Sequence, residues 1–189
     1  VNFNQQQKNS ETMKKTIACL MLVVTFFSCK TEETIPTPDG YVPSQAKGQW
    51  LYGTFSMTDF WGYDGSYIGN PFELSVAFNF MGNGEYEQYF MSQAIDYSTC
   101  RTEAFSYVKG TVIFDEANKS FTVYPAEGNF RGFYSCIPSS NFDRAAAPSE
   151  LKIQTFYYEY ETDTNGKNWM IIKFDPNDEY GSYFASTTW

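Results

Sequence analysis

Leu74-Ser75-Val76-Ala77-Phe78-Asn79-Phe80, followed by Met81-Gly82-Asn83-Gly84 and then by EYEQYFMSQ over residues 85–93, is the stretch that decides the fold. The larger apolar side chains Leu74, Val76, Phe78 and Phe80 alternate with Ser75, Ala77 and Asn79. A period of two places each set on its own face of a strand. Gly82-Asn83-Gly84 supplies residues that tolerate positive φ, which is the chemistry of a tight reversal, so the two runs read as an antiparallel hairpin.

The same period extends outward in both directions. Strands are expected over 48–57, 102–114, 120–124, 129–136, 151–162, 168–174 and 181–187, and Asp163-Thr164-Asn165-Gly166-Lys167 reads as a second hairpin turn. The one helical candidate is a turn or so over 142–147, with Asn141 as its N-cap and Pro148 and Ser149 ending it. So many strands without long helices predict an all-β domain. Its strands are antiparallel and number about eight or nine, and they close as an up-and-down barrel or pack as a sandwich so that no long apolar edge stays exposed.

The N-terminal quarter has a different character. MKKTIACLMLVVTFFSC, residues 13–29, reads as a bacterial lipoprotein signal peptide: a basic start, a short apolar run and a box ending in Ser28 and Cys29. The apolar run is too short to span a bilayer, which needs about 20 residues. Lipid on Cys29 is therefore the expected membrane attachment. Residues 1–12 read as an extension upstream of the true start at Met13. Residues 30–47, with Pro36, Pro38 and Pro43, read as a flexible tether. The folded part is then one domain over 48–189.

Composition narrows the function. The chain has 13 cationic and 22 anionic side chains and no histidine. Residues 1–28 hold three of those cations, Lys8, Lys14 and Lys15, and one of the anions, Glu11, which leaves 10 against 21 and a mature charge of about −11. Such a surface repels nucleic acid and anionic headgroups alike. Without histidine the Ser-His-Asp and Cys-His arrangements cannot be built and zinc loses its commonest ligand, so neither a cofactor nor a metal is expected.

Cys19 lies in the apolar run and Cys29 takes the lipid, so Cys100 and Cys136 are the cysteines left to the folded part. Outside the cytoplasm they can form a disulfide, and the alternative is a pair of buried thiols acting as small apolar side chains.

The site candidate is TDFWGYDGSYIGNP, residues 58–71, where Phe60, Trp61, Tyr63 and Tyr67 stand beside Asp59 and Asp64. Aromatic faces stack on the apolar faces of sugars, and carboxylates accept their hydroxyl hydrogen bonds. The competing reading makes these aromatics a plug over one end of the fold. Glu85 and Glu87, two apart on one strand face, have the separation of an inverting glycosidase pair, against an ordinary reading as solvated carboxylates. Asp175, Asn177, Asp178 and Glu179 offer oxygens for a cation but have the composition of a turn. Phe156, Tyr158 and Tyr160 share a strand face as a packing stripe.

Gly48-Gln49-Trp50 resembles the Gly-x-Trp that opens lipocalins, although the arginine those proteins carry on the last strand is absent from residues 181–189. With the Cys29 box, and with Lys30-Thr31-Glu32-Glu33 resembling an outer-face export signal, the layout is similar to lipocalin-like surface lipoproteins of the Bacteroidetes. The resemblance implies the outer membrane, facing the cell surface or the periplasm. Three functions follow, in order of expectation: a non-catalytic binding module for a glycan or small amphipathic ligand, a structural or protein-interaction component of the envelope, and a glycosidase.

Overall fold

The structure is a computed structural model and describes residues 38–62, 73–95 and 99–189, with the Asp59 side chain left out. Its elements are β1 (Gly48–Tyr52), a short helix α1 (Met57–Gly62), β2 (Leu74–Phe80), β3 (Glu85–Ile95), β4 (Arg101–Asp115), β5 (Ser120–Tyr134), β6 (Phe142–Ala145), β7 (Gln154–Thr162), β8 (Asn168–Lys173) and β9 (Ser182–Thr187). The expected hairpin forms between β2 and β3, with Phe80 opposite Tyr86 and Leu74 opposite Ser92. All pairings between named strands are antiparallel. Because β4 also pairs with β5, the order β4-β3-β2-β1-β9-β8-β7-β5 closes into a ring, and β6 is added alongside β5. The fold is therefore a closed eight-stranded barrel with a ninth strand on its flank.

Aromatic rings fill the interior. Phe78 and Phe80 stack with centroids 5.3 Å apart, Phe114 lies 5.0 Å from Phe121, and Phe121 lies 5.1 Å from Phe156. Each such pair contributes about 0.5–1.5 kcal/mol beyond the area it buries. Phe156 and Tyr158 belong to this core, and Tyr160 packs against it. One end of the barrel is plugged by the segment that enters it. Val42 and Ala46 are buried there, and Trp50 donates from Nε1 to the Ala46 carbonyl at 2.8 Å. On its other side the Trp50 ring meets that of Tyr160, with centroids 6.0 Å apart.

Three sequence expectations need correction. The first strand ends at Tyr52, because Gly53 adopts φ 81° and turns the chain back over the outside of the sheet, and the α-helix among the described residues is α1. A Cβ at Gly53 would collide with the Leu74 carbonyl oxygen. Residues 120–124 and 129–136 are not separate strands. They belong to one continuous β5 whose register against β4 shifts between Lys109 and Gly110, leaving Ala126 unpaired as a bulge. Residues 142–147 are not helical. Phe142–Ala145 form β6, because Asn141 turns its side-chain oxygen to the Tyr134 N–H at 2.7 Å instead of capping a helix, and Phe142 covers the bare Gly132 backbone.

Cys100 and Cys136 are bridged, with Cα atoms 5.4 Å apart, and clip the start of β4 to the segment after β5. Closing a loop of 36 residues in sequence separation stabilises the fold by about 3–4 kcal/mol in the chain-entropy view. The disulfide sits at the end of the barrel opposite the Val42–Ala46 plug.

Candidate functional site

The bulge in β5 makes the site possible. Before it Phe121 and Val123 face the barrel interior, and after it Arg131 and Phe133 face outward beside Phe105 and Glu103 of β4. A second apolar cluster gathers on this outer face. Ala77, Tyr89, Met91 and Phe105 form its floor, and the chain after Gly53 lays Phe55, Met57 and Phe60 on top.

Phe60 and Trp61 differ sharply in exposure, and neither closes an end of the fold. Phe60 is 1% exposed and meets Tyr89, Phe105 and Trp61 edge-on, so it is a packing residue of the outer cluster rather than a contact surface. Trp61 is 47% exposed. Its ring is held 5.0 Å from Phe60 and 5.3 Å from Tyr107, both near perpendicular. Asp59 lies on α1 with its side chain undescribed, and Tyr63, Asp64 and Tyr67 lie outside the described residues, as does Cys29.

Sequence reasoning missed Arg131. It is 5% exposed, and its guanidinium lies 4.9 Å from the Phe60 ring, 4.9 Å from Phe105 and 5.4 Å from Trp61. Nη2 donates to the Phe60 carbonyl oxygen, while Nε has no partner. Burial lowers the Arg131 pKa from its usual value, with Asp143 opposing the shift. Three ring faces and one carbonyl thus replace water around the cation, and they pin α1 and Trp61 to the sheet. One charged residue in an aromatic strand was the only signal in the sequence, and it reads as a solvated outer position.

Tyr107 links this platform to a cleft of about 370 Å³, lined by Glu85, Glu87, Lys109, Thr111 and Glu127 among others. The two glutamates do share the cleft. Glu87 accepts from Asn79 Nδ2 at 3.0 Å and from the Tyr107 hydroxyl at 3.1 Å, Glu85 accepts from Asn83 Nδ2 at 2.6 Å, and Lys109 pairs with Glu127 at 2.6 Å. With both hydrogen-bonded to side chains, they act as acceptors that orient their neighbours. Burial and the nearby Glu87 charge push the Tyr107 hydroxyl up to about 12, so it stays a donor.

The Asp175 segment is a turn network: Asp175 accepts from Asn177 N at 2.8 Å and Asn177 Nδ2 at 2.9 Å, and Asp178 accepts from Asp175 N at 3.0 Å. Among the described residues no three acidic, histidine or cysteine side chains gather as a metal site. No known protein-family profile matches the chain, and no curated protein does either.

Proposed function

We propose that this protein is a lipid-anchored, surface-facing β-barrel that binds saccharides non-catalytically on its outer face, with Trp61 as the stacking platform. The observation that carries this reading is that Trp61 is exposed yet fixed, its ring set between Phe60, Tyr107 and the buried Arg131 guanidinium. A ring already immobilised loses little side-chain entropy when a ligand stacks on it. Hydrogen-bond acceptors lie next to it in the Glu87 cleft. Because aromatic side chains occupy the barrel interior, the outer face is where a ligand fits.

Lipid on Cys29 would hold the described domain at the membrane. A second reading, a protein-contact role in the envelope, is favoured by the exposure of Phe174, Tyr180 and Tyr183 at 69%, 80% and 49%.

An array of immobilised mono- and oligosaccharides, probed with the full-length protein, tests the proposal. Retention on a defined subset, weakened by Trp61→Ala, supports it. Absence of retention on any saccharide sinks it in favour of the protein-contact reading.

A further inference from the structure

The outer face of β3, β4 and β5 is ordered in rows, because residues paired across the three strands share a level. Met91, Phe105 and Arg131 form one row, Tyr89, Tyr107 and Asn129 the next, and Glu87, Lys109 and Glu127 the one after. Trp61 meets the first two rows, at the Arg131 guanidinium and at the Tyr107 ring. Consecutive rows lie about 6.5–7 Å apart, the length scale of one sugar ring, so the charged row begins one ring beyond the platform. In the other direction the next row is Gln93, Glu103 and Phe133. Nothing can bind there through Glu103, because both its carboxylate oxygens are covered, and burial raises its carboxyl to about 7.

The charged row opens into the cleft of about 370 Å³, a size within the roughly 300–1,000 Å³ of ligand pockets. The β5 bulge makes the room. Gly110 and Ala126 line the cleft without a long side chain, and a Cβ at Gly110 would collide with the Tyr124 carbonyl oxygen. The polar groups of the cleft are within reach of a ligand: Glu85 is exposed, and the side chains of Lys109 and Glu127 are 44% and 64% exposed. Lys109 and Glu127 pair with each other and still have capacity to spare, since an ammonium carries three donors and a carboxylate about four acceptor sites.

Charge selects among ligands. Glu85, Glu87 and Glu127 stand against Lys109 alone and the other lining residues are neutral, so the cleft carries a charge of −2. An acidic sugar would set its carboxylate against these three, and like charges brought together are penalised. Sugar hydroxyls suit the cleft better, because they donate to carboxylates in charge-assisted hydrogen bonds and accept from Lys109. We infer that the cleft is the second subsite of an extended site. The ligand is then an oligosaccharide of at least two residues without acidic groups, one ring stacked on Trp61 and the next held through its hydroxyls by Lys109, Glu127 and Glu85. This deepens the saccharide reading above and rests on it.

The test is an amide and indole NMR titration of the full chain. Its probes are the methyl glycosides of glucose, galactose, mannose and N-acetylglucosamine, the disaccharides cellobiose, lactose, mannobiose and chitobiose, and the acidic digalacturonate. The expected result is that at least one neutral disaccharide shifts the Trp61 indole together with the Lys109 and Glu127 amides. It should bind about tenfold more tightly than the matching methyl glycoside, the gain of one hydrogen bond to a charged group. Lys109→Gln combined with Glu127→Gln should bring the two affinities together, at an unchanged melting temperature because exposed ion pairs contribute little to folding. Digalacturonate should bind more weakly than any neutral disaccharide that shifts these resonances.

If disaccharide and glycoside bind equally and shift Trp61 alone, this inference falls while the platform stands. A disaccharide gain that survives the double variant places the second ring elsewhere and also overturns it, as does digalacturonate binding as tightly as the neutral probes. Shifts confined to Lys109 and Glu127, and unchanged in Trp61→Ala, remove the platform and the extended site with it. If no probe shifts either set, both fall.

Discussion

Phe60 and Trp61 are adjacent aromatics with opposite environments, and no property of the two residues in the sequence separates them. What separates them is Arg131, 71 positions after Phe60, whose cation draws the Phe60 ring and carbonyl onto the sheet and leaves the next ring at the surface. Phe60→Ala should therefore destabilise the protein by about 3–5 kcal/mol, the cost of emptying a buried phenylalanine site, with further loss from uncovering Arg131. Denaturant unfolding measures this, and a loss under 1 kcal/mol would mean that the outer cluster is not a core. Glu103 gives a pH signature of its own. Its folded-state carboxyl, raised to about 7, binds a proton more readily than the unfolded one, so its contribution is fully present below the unfolded value near 4.5 and is lost as pH rises toward 7. Stability should drop by about 1–3 kcal/mol across that window, and Glu103→Gln should flatten the slope. A wild-type profile indistinguishable from that of the variant would show that Glu103 titrates normally.

At the scale of elements, the β2–β3 hairpin was legible because its alternation and its glycine turn agree with each other. Strand β5 was legible only in halves. Its inward side chains change from odd positions at Phe121 and Val123 to even positions beyond Ala126, and on paper that change of parity around Pro125 and Gly128 looks like a turn. The bulge preserves the strand and reverses its faces, which is how the closed barrel keeps phenylalanines inside and Arg131 outside. Deleting Ala126 should force one half of β5 to present the wrong face, so the variant should fail to fold, read as loss of near-UV circular dichroism and recovery only in the insoluble fraction. A deletion variant that folds with wild-type stability would show that the register is set elsewhere. Strand β6 was illegible for a different reason. Four exposed residues with fair helix propensity carry no period, and their strand conformation comes from pairing with β5 and from the Arg144–Glu150 clamp, with contacts of 2.7 and 2.8 Å, that holds the segment behind them.

At the scale of the whole molecule, the all-β class was readable from periodicity, whereas closure was not, since the ring is completed by β1 pairing with β9 from the other end of the chain and by β5 pairing with β7 past the intervening β6. The candidate loop was readable as aromatic and acidic, and its division into a buried Phe60 and an exposed Trp61 was not. The central claim of the account is that the protein binds saccharide on the outside of a filled barrel, through a tryptophan that the fold holds in place without depending on it. The affinity of full-length Trp61→Ala for the saccharide that wild type retains, measured calorimetrically beside the melting temperature of the same sample, tests that claim most directly. The account predicts a loss of about tenfold or more, in line with about 1–3 kcal/mol for a stacking aromatic, with a melting temperature lowered by only a few degrees. Unchanged affinity together with a fall of many degrees would contradict it and return Trp61 to the core.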